Sequence, residues 1–125
     1  MPFNVSWTMR IAQVAPLAES VPPKLYGGTE RVVSWLTEEL VSLGHAVTLF
    51  ATGDSVTSAQ LVPLGRRGIR LTRPSPDPAI ATAALLNAVA QASREFDVIH
   101  SHLDWVHLPL LRCLQLRFNV ECELA

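Results

Sequence analysis

The chain has 125 residues, enough for one domain with a buried core. Apolar residues make up 49% and charged residues 17%, so the composition is that of a globular protein rather than a disordered one. Ten basic residues against eleven acidic ones leave a net charge of −1, which argues against broad electrostatic attraction to nucleic acid or anionic lipid.

Residues 1–8 read as an N-terminal extension, because the periodic pattern begins at Met9. No basic stretch followed by an apolar run of signal-peptide length opens the chain. No apolar run approaches the ~18 residues that span a bilayer. The expected localisation is therefore cytoplasmic. Cys113 and Cys122 form no CxxC pair and are expected as ordinary reduced thiols.

The first strand is expected over residues 10–15, RIAQVA, short, mostly apolar and stopped by Pro16. Residues 16–28 contain Pro22, Pro23, Gly27 and Gly28 and read as a loop. A connection of that length is often functional. The helix over 29–43 carries Val32, Val33, Leu36, Leu40 and Leu43 at helical spacing, with Glu30 in its first turn and Gly44 placed to end it. A second strand follows over 46–51, AVTLFA. A weaker third strand is expected over 69–72. Proline starts a helix over 78–95, with Leu85, Val89 and Ala92 spaced to face a core. A fourth strand is expected over 96–100 and a third helix over 105–116, after which residues 118–124 alternate like a strand.

This alternation predicts an α/β fold, a parallel sheet of four or five strands with helices on both faces and the first strand near its centre. Ligands on such sheets sit beyond the carboxyl ends of the strands. The 16–28 loop and the HSHLD segment, His100 to Asp104, both follow a strand's carboxyl end and so belong on one rim.

Gly27 and Gly28 at a helix start let a ligand approach the backbone, and free N–H groups there suit an anion. The same pair also fits a hinge into the helix. The GxGxxG fingerprint of dinucleotide cofactors is absent, so no cofactor is indicated. In an extended HSHLD segment, His100 and His102 point to one face, and Asp104 joins them if the extension continues. This segment fits a polar wall of a binding cleft or a solvated strand end. It also matches the start of a two-zinc hydrolase motif, but Trp105 stands where that motif has another histidine, and only His107 remains downstream.

The runs MRIAQVAP, YGGTERVVSWLTEELVSLGHAVTLFATGDS and FDVIHSHLDW, in that order, resemble the N-terminal domain of retaining glycosyltransferases of the glycogen-synthase-like group, the group 1 or family 4 type with a B-type fold. The likeness covers residues 9–111. It implies a Rossmann-like acceptor-side domain over 9–112, followed by an atypical tail over 113–125. It further implies a nucleotide-sugar donor and a hydroxyl acceptor as partners, with no metal. Carried onto matching positions, Gly27, Gly28, Thr29 and Glu30 would shape a phosphate or acceptor pocket, and His100, His102 and Asp104 would line the acceptor cleft. The family's Thr-x-His-Gly segment is missing, and LRCLQLRFNVECELA stands after the third helix. The family's donor domain is missing too, so no catalytic residue is assigned. The resemblance therefore implies a truncated enzyme, inactive alone. Its alternative is a non-catalytic ligand-binding or interaction module.

Overall fold

The structure is a computed structural model and describes residues 7–104, 108–115 and 119–122. Five strands form one parallel sheet: β1 (Arg10–Val14), β2 (Ala46–Ala51), β3 (Gln60–Pro63), β4 (Val98–Ser101) and β5 (Asn119–Cys122), in the spatial order β3-β2-β1-β4-β5. The helices are α1 (Gly28–Ser42), α2 (Pro78–Ala92) and α3 (Leu108–Gln115). This is the expected parallel α/β fold, with β1 central and flanked by Ala46–Ala51 on one side and Val98–Ser101 on the other. Because all five strands run the same way, their carboxyl ends share one rim.

Alternation along β1 serves two cores. Ala12 and Val14 face α2, where they meet Phe50, Leu85, Val89, Phe96 and Ile99. Phe50 and Phe96 pack edge to face, with centroids 5.9 Å apart at 75°. On the other face, Ala15, Leu49 and Ala51 pack with Val33 of α1 and Val21 of the long loop. Helices therefore cover both faces. Among the described residues, no helix is long and apolar enough to cross a membrane.

Local chemistry sets the helix ends. The Asp77 carboxylate accepts from the Ala79 N–H at 2.9 Å, and Pro78 occupies the first turn of α2, where a missing N–H costs nothing. Gly44, at φ 93°, terminates α1 with its N–H on the Val41 carbonyl. His45 is structural: its Nδ1 accepts from the Met9 N–H at 3.1 Å, tying the start of β1 to the start of β2.

Three expectations need correction. The third strand lies at Gln60–Pro63, and Ile69–Leu71 is instead a single 3-10 turn. That turn is held by Ile69 N–H on the Leu17 carbonyl and Arg70 N–H on the Ala18 carbonyl, contacts that draw it to the rim instead of the sheet edge. The buried stripe of α1 is also displaced. Glu30, Val33, Ser34 and Thr37 face the sheet, whereas Val32 and Leu43 are exposed. Last, the helix expected over 78–95 stays α-helical only to Ala92 and tightens to 3-10 over Ser93–Glu95. Of the residues expected in the third helix, 105–107 and 116 lie outside the described ones, as do 118, 123 and 124 of the last expected strand. Within the tail 113–125, Asn119–Cys122 pairs with β4 as an edge of the sheet.

Candidate active site

The long loop after β1 is pinned along its length. Val21 N–H bonds the Ser55 hydroxyl at 2.9 Å, Val56 N–H bonds the Val21 carbonyl, and Lys24 pairs with Asp54 at 3.2 Å. It delivers Gly27 and Gly28 to the start of α1 in a defined place. Gly27 is buried, and a Cβ there would meet Glu30 Oε2 at 2.8 Å and Pro23 Cβ at 3.0 Å. At Gly28 a Cβ would meet nothing within 4 Å. The two glycines thus have separate reasons: the first permits close packing, the second leaves open space. No side chain caps this helix end, and helical geometry leaves the N–H groups of Gly28 and Thr29 without an intrahelical partner.

That open space belongs to a cleft of about 700 Å³ on the carboxyl rim. Gly27, Gly28, Thr29 and Glu30 form one wall, and His102, Leu103 and Asp104 form another. Two segments more than seventy residues apart therefore meet across one space. His100 is not among the described lining residues. It sits within β4, half-buried, its ring centroid 4.2 Å from that of His102.

The electrostatics are set by residues that periodicity does not expose. Arg70, from the 3-10 turn, extends its guanidinium along the cleft, with Nη1 3.3 Å from Oε1 of buried Glu19 and its ζ carbon 5.8 Å from the Tyr26 ring centroid. Burial raises the Glu30 carboxyl above the usual range; its own N–H and the charge of Arg70 pull it down, and Glu19 pushes it up. Beneath the rim, buried Gln13 of β1 places its amide oxygen 2.9 Å from Nε2 of buried His102. The amide and the ring are thus hydrogen-bonded to each other, in the direction set by the histidine tautomer. Among the described residues, the Gln13 amide nitrogen is buried without a hydrogen-bond partner. Of this pair the sequence marks His102, within HSHLD; Gln13, Glu19 and Arg70 give no sign of their partners, since such pairing is a tertiary event. The described residues contain no cluster of three or more side chains able to hold a metal, and His107 lies outside them.

A glycosyl transferase 4-like domain model matches residues 27–122, from the buried glycine to the end of β5. The chain belongs to this glycosyltransferase family. Among solved structures, it is similar to AviGT4, a glycosyltransferase involved in avilamycin A biosynthesis, at 30% identity and a TM-score of 0.52, over 75% of this chain and 26% of that one. It also resembles the sucrose-phosphate synthase of Thermosynechococcus elongatus, at 18% identity and a TM-score of 0.55, over 91% and 32% of the two chains. The C-terminal domain of a Pyrococcus furiosus hydrogenase shares the fold at 12% identity and a TM-score of 0.54, covering 99% and 96%. The last two likenesses concern the fold alone. No curated protein matches the sequence. The glycosyltransferase domain thus spans between a quarter and a third of the two glycosyltransferase chains it resembles.

Proposed function

We propose that this domain supplies the acceptor side of a cleft in which sugar passes from a nucleotide-sugar donor to a hydroxyl acceptor, and that a second, donor-binding lobe completes the site. The carrying observation is the single cleft that joins Gly27–Glu30 to His102–Asp104. The first turn of α1 offers two N–H groups and the positive end of a helix dipole, which suit the oxygens of a diphosphate. Glu30, His102 and Asp104 supply hydrogen-bonding groups for hydroxyls across the same space. Group transfer needs donor and acceptor held together with water excluded, which one open wall does not provide. The lobe alone is therefore expected to bind without turning over.

Titration of the labelled protein with uridine diphosphate tests this reading. Saturable shifts of the Gly28 and Thr29 amides are expected. Shifts confined to α3, or none at millimolar ligand, would overturn it.

A second reading, an interaction module, draws on one observation. Val32 and Trp35, three residues apart on α1, are both exposed, Trp35 to 66%. A stable complex with another protein through this face, unaffected by substitutions in the cleft, would favour it.

A further inference from the structure

Beside the cleft, and separated from it by the Ile69–Leu71 turn, lies a second cavity of about 750 Å³. Among the described residues, the two share Leu17 and Ile69 as a common wall. Its chemistry differs from that of the cleft. Leu17, Leu64, Ile69, Leu71, Ala81 and Ala84 make an apolar lining, and Arg66, Arg67 and Arg73 stand around it. Among the described residues, no acidic one lines it, whereas the cleft carries Glu30 and Asp104. Among the described residues, no carboxylate lies within ion-pair distance of any of these three arginines; the described ion pairs are Arg10–Asp97, Lys24–Asp54 and Arg70–Glu19.

The rim is built rather than loose. Leu64 N–H bonds the Ala51 carbonyl at 2.8 Å, and Gly53 N–H bonds the Gly65 carbonyl at 3.0 Å. Gly68 lies so close to the long loop that a Cβ would meet the Ala18 carbonyl oxygen at 2.7 Å. Arg73 is held over the turn by Nη1, which donates to the carbonyls of Arg70 at 3.0 Å and Thr72 at 2.9 Å. Backbone contacts to β2 and to the long loop therefore fix the positions from which Arg66, Arg67 and Arg73 project.

We propose that this cavity binds a single-chain amphiphile with an anionic headgroup, its tail over the leucine and alanine lining and its head among the arginines. Small-molecule sites are mostly apolar with a few placed polar groups, and the cavity volume falls in their usual range. A bare anion would leave the apolar lining wet, and a neutral amphiphile would forgo the charge-assisted hydrogen bonds that the exposed arginines offer an anionic head. The site is independent of the sugar-transfer reading.

Dodecyl phosphate, kept below its micelle-forming concentration, is the probe, with dodecyl maltoside and inorganic phosphate as controls. Calorimetry of the 125-residue chain should show saturable one-to-one binding of dodecyl phosphate and much weaker binding of both controls. The double variant R66Q/R67Q changes two exposed side chains and should weaken binding about tenfold, as expected for losing charge-assisted hydrogen bonds. Ala84→Phe, at an exposed position of α2, fills the cavity without changing charge and should weaken it as well. Because Ala84→Phe leaves the loop untouched, it decides the matter if the arginine variant fails to fold. Equal affinity for dodecyl maltoside, equal affinity for inorganic phosphate, or a response to anionic vesicles alone would overturn the proposal. So would binding indifferent to Ala84→Phe. The Gly28 amide response to uridine diphosphate should persist when dodecyl phosphate is saturating, which keeps the two sites distinguishable.

Discussion

Gln13 and His102, 89 residues apart in sequence, meet at 2.9 Å between the amide oxygen of one and Nε2 of the other, both buried under the cleft. A pair of this kind is worth more intact than either half alone, because removing one partner strands a desolvated polar atom on the other. Gln13→Leu leaves the His102 ring without this amide, and His102→Leu leaves the amide without this ring. The double variant leaves neither. Its loss of stability should therefore be smaller than the sum of the two single losses by about 1 kcal/mol. Urea unfolding of the four proteins measures this, and additive losses would show that the pair does not interact.

Asp97 closes the other end of the sheet. Its carboxylate accepts from the Arg10 backbone N–H at 2.8 Å and from Nη2 at 2.8 Å. The hydrogen bond from the Arg10 side chain, followed by the backbone bond, lowers its pKa from 3.8 to about 2. A depressed carboxyl contributes stability above its unfolded value and loses it as pH falls through the folded one. Acid unfolding of the protein should accordingly steepen between pH 3.8 and about 2, and Asp97→Asn should flatten that limb. The pair is solvent-exposed, so screening keeps both effects small: the variant should lose at neutral pH no more than the parent loses across that acid limb. A carboxyl titration of Asp97 near 3.8 by NMR would contradict the account.

Glu30 has the opposite sign. Burial raises its pKa above 4.5, so folding binds a proton there and stability from this group falls as pH climbs past 4.5. Glu30→Gln should raise the melting midpoint at neutral pH and lose that advantage below pH 4.5. A group that costs stability and lines the cleft fits a binding role, since functional sites often hold destabilised groups. Melts at the two pH values decide it; an E30Q protein less stable than the parent at neutral pH would mean that the contacts of the charged form outweigh its burial.

The pattern of the chain made most of this architecture readable. Strand β1 and strand β2 declare themselves by short apolar runs, and Pro78 announces α2 because a first-turn proline acts within a few residues. Strand β3 stayed hidden because Gln60–Pro63 is a half-exposed edge with no continuous apolar run. The Ile69–Thr72 segment alternates like a strand, yet backbone bonds to Leu17 and Ala18 outweigh that pattern. The buried side of α1 is hidden for a related reason. The helix buries Ser34, Thr37 and Glu30 while exposing Val32 and Trp35, so hydrophobicity alone points to the wrong side. At the cleft, the glycine pair and HSHLD were legible as local motifs. Arg70 and Glu19 were not, since only folding brings residues 51 apart into contact.

The two adjacent glycines offer a separation of structure from binding within a single dipeptide. At Gly27, an added methyl meets the Pro23 ring carbon at 3.0 Å and the Glu30 carboxylate at 2.8 Å. The carboxylate can swing away, but the proline cannot, and overpacking of this kind costs about 1–3 kcal/mol. Gly27→Ala should lose that much in urea unfolding. At Gly28, the same methyl meets nothing within 4 Å, and alanine is the better helix former by up to ~1 kcal/mol. Gly28→Ala should therefore be as stable as the parent or slightly more so. Its methyl nevertheless occupies cleft space at the exposed N–H groups, so uridine diphosphate should bind it more weakly. Equal stability losses at the two positions would mean that both glycines serve packing, and an undiminished uridine diphosphate titration of Gly28→Ala would move the diphosphate away from the start of α1.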